Sequence, residues 1–212
     1  MPTDPALDAT GSPPATDEAV DAQSIRLMRR VKEGDERAFR ELVDLHRHAV
    51  IGTCTRMLGN AADAHDVAQL VFLRIWKAAP RYEPSAKFTT WMFTILRNLV
   101  FNETRRRSRK PTVSLDEPLG GDGEGAASRD VADPAAPTPA EARLRMELEE
   151  AIDAAISRLP EQQRLAVVLR RYEDMAYEDI AAALGTTVPA VKSLLFRART
   201  QLRELLAPYF EE

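Results

Sequence analysis

Between Lys87 and Lys110 the chain reads KFTTWMFTILRNLVFNETRRRSRK, with aromatic and basic residues interleaved at helical spacing. On a wheel of about 100° per residue, Phe88, Met92, Ile95, Leu96 and Leu99 cluster as the expected core stripe. Trp91, Thr94, Asn98, Phe101 and Arg105 fall on a separate arc about 80° wide. A bundle helix needs one apolar face, so a second face with Trp and Phe beside Asn and Arg requires an occupant. Nucleobases suit it, because stacking on an aromatic side chain is worth about 1–3 kcal/mol per base. The basic run Arg105, Arg106, Arg107, Arg109 and Lys110 then neutralises phosphates at the helix end. The same residues also permit a plainer reading, in which Trp91 and Phe101 are core and the basic run is a solvated terminus.

A second segment, YEDIAAALGTTVPAVKSLLFRARTQLR at 177–203, has the pattern of a helix-turn-helix. Ile180, Ala181 and Leu184 give the first helix a packing face, Gly185 permits the turn, and Thr187 can cap the second helix. Val191, Leu194, Leu195, Ala198, Leu202 and Leu205 form one stripe of that second helix. Lys192, Ser193, Phe196, Arg197, Arg199, Thr200 and Arg203 form the other. The N-terminal end of such a helix enters the major groove, which makes Thr187, Ala190, Lys192, Ser193 and Arg197 the candidate readers. An Arg or Lys contact to guanine discriminates by about 1–3 kcal/mol. An ordinary helical hairpin with a solvated basic face is the plainer alternative.

The formal net charge of −4 hides a strong segregation. Residues 23–110 hold 18 basic and 9 acidic residues, whereas residues 143–212 hold 10 and 12. The first 22 residues contain five acids and no Lys or Arg, and residues 111–142 contain seven acids against Arg129 alone. The N-terminal half is therefore the anchor for a polyanion. Cys54 is the single cysteine, which leaves no disulfide framework and no cysteine metal cage. A metal site from His46, His48 and Cys54 is less favoured than a buried Cys54 with both histidines on a helix face. No paired carboxylates, nucleophile–base pattern or phosphate-cradling loop falls in a structured part, and GGDGEG at 120–125 has no flanking strand or Lys. The pattern excludes an obvious enzyme, cofactor or small-molecule substrate. With no signal peptide and no apolar run of spanning length, a soluble cytoplasmic protein is expected.

The elements that must position these segments follow from breaks and caps. Residues 1–22 are expected to be a disordered acidic tail. Helices are expected at roughly 24–33, from the Asp35 cap to Leu58 with Gly59 as stop, and at about 62–78. Residues 23–110 then form one helical domain, and residues 111–138 a flexible acidic Pro/Gly-rich linker. That linker has a coil dimension of roughly 30 Å and a limit near ~90 Å. Thr138-Pro139-Ala140-Glu141 reads as a capping box opening a second helical domain over 139–212. The expected fold is all-α, two small helical domains in which helices at about 139–157, 161–173, 177–184 and 188–207 make up the second.

Taken together, GDERAFRELVDLH at 34–46, DAHDVAQLVFLRIWKA at 63–78, FTTWMFTILRNLVFNETRRR at 88–107 and LPEQQRLAVVLRRYEDMAYEDIAAALGTTVPAVKSLLFRAR at 159–199 resemble the extracytoplasmic-function (ECF) group of bacterial sigma-70 factors. The likeness covers about three quarters of the chain. It implies sigma region 2 at 23–110, for core polymerase binding and −10 recognition and melting, and sigma region 4 at 139–212, for −35 recognition. It places Lys87, Phe88, Trp91, Thr94, Arg97, Asn98, Phe101, Arg105, Arg106 and Arg107 at the −10 element. The −35 set becomes Tyr177, Thr187, Ala190, Lys192, Ser193, Arg197 and Arg199. Asp66, Gln69, Leu70 and Arg74 become the polymerase contact, and Arg81–Lys87 the loop that captures a flipped base. The implied partners are bacterial core RNA polymerase, promoter DNA and an anti-sigma factor. Leu70 stands where the family usually carries an acid, His65 where Glu is common, and Leu194 where Arg or Lys is frequent. The competing functions are a stand-alone helix-turn-helix transcriptional regulator and a protein that only binds polymerase or RNA.

Overall fold

The computed structural model describes residues 17–109 and 139–209, and every regular element among them is helical. The first half contains α1 (Asp17–Lys32), α2 (Glu36–Leu58), α3 (Ala61–Ala78) and α4 (Phe88–Arg109). The second contains α5 (Pro139–Ser157), α6 (Glu161–Arg171), α7 (Tyr177–Leu184) and α8 (Val188–Leu206). The expected linker lies outside the described residues, as do Thr138 and the side chains of the capping box it was expected to open, while α5 begins at Pro139. None of the helices described is long and apolar enough to cross a membrane on its own.

Local chemistry sets the ends of α2 and α3. Asp35 accepts from the Arg37 and Ala38 amides at 2.9 and 3.1 Å, satisfying donors that the first turn leaves free. Gly59 ends α2 in the left-handed region at φ 67°, and Asn60 then caps α3 by accepting from the Asp63 amide at 3.1 Å. The two helices are thus turned back on each other within a two-residue connection.

The helix before Gly34 starts earlier than expected. Residues 17–22, assigned by composition to a disordered tail, form the first turns of α1. Their partners are distant in sequence. The Asp21 carboxylate accepts from the Phe88 amide at 2.6 Å and so caps α4, while Asp17 lies 3.3 Å from the Lys87 ammonium. These acids act at a helix N-terminus, where negative charge is favourable.

Leu42, Val50, Met57, Val71, Ile75, Phe88, Met92 and Leu96 are buried at the centre of the first half. In α4 the buried set is wider than the expected stripe: Thr90, Phe93 and Val100 are buried too, while Ile95 and Leu99 are only half-buried. The second half closes around Leu159, Leu165, Leu169, Ile180, Val191 and Leu195. Its helices pack onto the first half, α7 against α4 and α6 against α2, so that the buried side chains form one contiguous cluster.

Candidate nucleic-acid interface

The aromatic–polar face of α4 opens into a cleft of about 300 Å³ beside α3, lined by Arg74, Ala78, Trp91, Ile95, Asn98, Leu99 and Asn102. Ile95, Leu99 and Ala78 make an apolar floor, and Trp91, two amides and a guanidinium stand at its rim. Trp91 is half-buried, its ring centroid 4.8 Å from that of Tyr82 and 5.8 Å from that of Phe88. This wall fixes the indole while one part of it still faces the cleft. Phe101 is half-buried against the core, and the Thr94 hydroxyl turns back to donate to the Thr90 carbonyl at 3.0 Å. Arg105 and Arg106 are exposed, the latter held by Glu103 at 2.8 Å.

Two residues of the expected −10 set have other work. Phe88 has no exposed surface and sits between His46, at 5.0 Å between ring centroids, and Tyr82, at 6.3 Å, so no base can reach it. Its wheel position already marked it as core. Arg107 donates to the Leu58 carbonyl at 3.1 Å and pairs with Asp63 and Glu103. It ties α4 to the end of α2 and the start of α3, where a cation complements the helix C-terminus.

The second segment has the geometry its sequence suggests. α7 and α8 meet at 97° across Gly185-Thr186-Thr187, within the range for a helix-turn-helix. Gly185 is left-handed at φ 63°, its amide reaching Ala181 and Ala182, and Thr187 accepts from the Ala190 amide at 3.4 Å. Thr187, Lys192, Ser193, Arg197 and Arg199 are exposed, whereas Tyr177 and Ala190 are half-buried. Leu194 is half-buried against the core, which accounts for an apolar residue at that position. Phe196, placed by the sequence on this stripe but not among the candidate readers, is 71% exposed among these polar side chains.

On α3, Leu70 and Leu73 are 46% and 45% exposed and line a shallow depression with Asp66 and Gln69. Leu73 was missed, because a leucine at helical spacing reads as core. Arg74 is also exposed, but it turns to the α3–α4 cleft.

The two halves meet through polar contacts that sequence could not place. Asp179 accepts from the Thr90 hydroxyl at 3.1 Å and pairs with Lys87 at 3.0 Å. Asp179 and then Asp17 raise the pKa of the Lys87 ammonium above its ordinary value. Arg97 lies along the turn, so close that a side-chain carbon on Gly185 would come within 2.9 Å of its guanidinium. Thr53 donates to Glu173 at 3.2 Å, Arg56 stacks on the Tyr172 ring at 3.6 Å, and Arg164 donates to the Met57 carbonyl at 2.8 Å. Burial of Glu173 raises its pKa.

The histidines do not share one helix face. His46 is buried and His48 exposed, and among the described residues no group of His, Cys, Asp and Glu could hold a metal ion. Cys54 is buried, which pushes its thiol up to about 12.

Comparison with known proteins accounts for both segments at once. The family model for sigma-70 region 2 matches residues 42–110, and that for sigma-70 region 4 matches residues 149–202. The chain belongs to the ECF sigma-70 family. RNA polymerase sigma-H factor of Pseudomonas aeruginosa is 34% identical over 90% of this chain and 97% of its own. ECF RNA polymerase sigma factor SigW of Bacillus subtilis is 34% identical over 84% of this chain and 94% of its own. Among solved structures, CnrH in complex with the cytosolic domain of CnrY superposes with a TM-score of 0.63 at 26% identity, covering 89% of this chain and 99% of that one. The sigma factor RpoE of Bartonella quintana, in complex with the anti-sigma factor NepR, shares the fold with a TM-score of 0.57 at 24% identity over 80% of this chain and 96% of its own. This sigma factor therefore directs core RNA polymerase to promoters, and its two matched regions coincide with the cleft-bearing bundle and the helix-turn-helix.

Proposed function

We propose that the two DNA-facing surfaces of this sigma factor divide promoter recognition between duplex reading and strand capture, with no catalytic step of its own. The α3–α4 cleft supports strand capture: it combines a fixed indole, an apolar floor and amide and guanidinium groups, which suits an unstacked base. Unstacking costs a few kcal/mol, and stacking against Trp91 with hydrogen bonds from Asn98 offsets it. Arg105 and Arg106 follow the strand through phosphate contacts. The exposed Lys192, Ser193, Arg197 and Arg199 on α8 read the −35 element in the major groove. The Leu70–Leu73 step with Asp66 and Gln69 docks on core polymerase, the apolar pair replacing part of a charged contact. The acting protein is cytoplasmic, and an anti-sigma factor masks its surfaces when its promoters are silent.

Run-off transcription with purified core polymerase tests the whole assignment. Stimulated initiation from some promoters and not others is expected; tight palindrome binding without polymerase would instead favour a stand-alone regulator. Trp91→Ala is expected to lower strand opening by roughly 5- to 150-fold, the equivalent of about 1–3 kcal/mol of stacking, read as permanganate reactivity of −10 thymines. Duplex recruitment should change far less, and equal loss of both would refute the division. Arg197→Ala should relax −35 discrimination by about 1–3 kcal/mol, measured by competition between promoter variants. An unaltered preference removes Arg197 from the reading set.

A further inference from the structure

Lys87 immediately precedes α4, and its carbonyl accepts the first bond of that helix, from the Trp91 amide at 3.2 Å. A lysine side chain has donors but no acceptor for the amides that a first turn leaves free. The acceptor comes instead from α1, whose half-buried Asp21 takes the Phe88 amide at 2.6 Å. At the other end of the connection the Lys32 ammonium, also on α1, donates to the Tyr82 carbonyl at 3.4 Å. Between these two points Glu83–Ala86 are exposed, and the Ser85 amide bonds within the segment, to the Glu83 carbonyl at 2.9 Å. α1 therefore grips both ends of the connection that leads into α4.

The two residues held in this way are the wall behind the indole. The ring centroids of Tyr82 and Phe88 lie 4.8 and 5.8 Å from that of Trp91. Tyr82 is buried, and its hydroxyl has no hydrogen-bond partner among the described residues, so packing and its backbone place the ring. Burial, and then the Asp21 charge, raise the pKa of that hydroxyl, which puts the carboxylate near Tyr82 as well as Phe88. Trp91 belongs to the first turn of α4, and helix ends are where fraying begins. Loss of the cap at Phe88 would loosen the turn that carries the indole. Asp17 adds a pair to Lys87 at 3.3 Å, but that pair is open to solvent and contributes little.

We infer that α1 presets the strand-capture face of α4: Asp21 caps Phe88 and Lys32 holds Tyr82, which fixes the two rings behind Trp91 before DNA arrives. Asp21 is thus a positioning residue for promoter opening, acting through Trp91 without touching DNA itself. An indole ordered in advance spares the ordering cost that stacking on a base would otherwise meet. The inference rests on strand capture by Trp91 as assigned above.

The test uses full-length variants with core polymerase, at a temperature where circular dichroism shows their helicity intact. Asp21→Ala should lower permanganate reactivity of −10 thymines by about 2- to 30-fold, the equivalent of a lost helix cap. Recruitment to duplex promoter should stay near wild type. Asp21→Asn keeps a side-chain oxygen for the Phe88 amide and should retain most of the opening, since Asn caps as well as Asp. In a Trp91→Ala background, Asp21→Ala should add little, because the residue it positions is gone. Wild-type opening in Asp21→Ala, equal losses of opening and recruitment, no rescue by Asn, or losses that multiply in the double variant each overturn the inference. Separately, Trp76→Phe leaves Trp91 as the single tryptophan. In that free protein Asp21→Ala should increase acrylamide quenching of Trp91 fluorescence, and Asp21→Asn should not. Quenching unchanged by Asp21→Ala also overturns the inference. If Trp91→Ala alone leaves opening intact, the strand-capture assignment fails instead, and the quenching still decides whether α1 fixes the indole.

Discussion

Phe88→Ala is expected to remove about 3–5 kcal/mol of folding free energy, the cost of emptying a fully buried aromatic site. Phe88 is the first residue of α4, and it is completely buried beside the rings of His46, Tyr82 and Trp91. Its amide is also the donor that Asp21 accepts, so a collapse around the missing ring would disturb the α1 cap as well. A domain with a total stability of about 5–15 kcal/mol loses a large share of it. Urea unfolding followed by circular dichroism measures the effect. Trp91→Ala provides the contrast, because Trp91 is only half-buried and its main expected loss is in strand opening. A Phe88→Ala protein with near wild-type stability and a selective opening defect would return Phe88 to the DNA-contact set.

The second large effect is a pH dependence centred on His46. Burial lowers its pKa from 6.5 to about 4. The Ser24 hydroxyl donates to the Val20 carbonyl at 2.8 Å, so it accepts from Nε2 of His46, also at 2.8 Å, which holds the neutral ring in one tautomer. Above pH 6.5 the ring is neutral folded or unfolded and contributes no pH dependence. As pH falls from 6.5 toward about 4, the unfolded chain binds a proton that the folded one refuses, so stability declines. The total is about 3 kcal/mol across that window, at about 1.4 kcal/mol per pH unit. Glu173 acts in the opposite direction, since burial raises its pKa and the folded state gains as pH falls through that value. His46→Gln keeps a donor for Ser24 and does not titrate, so the difference between its urea midpoints and those of the wild type at pH 7.5, 6 and 5 isolates the histidine. Parallel pH curves for the two proteins would refute the assignment.

Much of the fold was legible because its signals are local. Asp35, Gly59 and Gly185 act within four residues of themselves, through a carboxylate that meets nearby amides or a backbone that enters the left-handed region. The α7 boundaries and the reading stripe of α8 follow from the same short-range rules. What failed was every inference that needed to know a distant neighbour. The polar composition of residues 17–22 suggested disorder, but Asp17 and Asp21 have partners at Lys87 and Phe88. Arg107 looked like one more phosphate contact in a basic run, and only the approach of α2 and α3 gives its guanidinium Leu58 and Asp63. Leu73 looks like a core residue by spacing, yet it is exposed beside Leu70, which was expected as a polymerase contact.

By itself the sequence determined an all-helical chain, the segregation of charge into a basic and an acidic half, and two segments whose side chains suit nucleic acid. Those properties follow from periodicity, capping and charge, which depend on residues a few positions apart. The tertiary structure decided which side of α4 remains available. Phe93 and Thr90 are buried because α7 lies over them, and Lys87 is bound because Asp179 arrives from more than ninety residues away. A wheel drawn for one helix assigns faces but not their occupants. Here one face of α4 meets the rest of its own bundle, a second the helix-turn-helix, and the third keeps an open cleft.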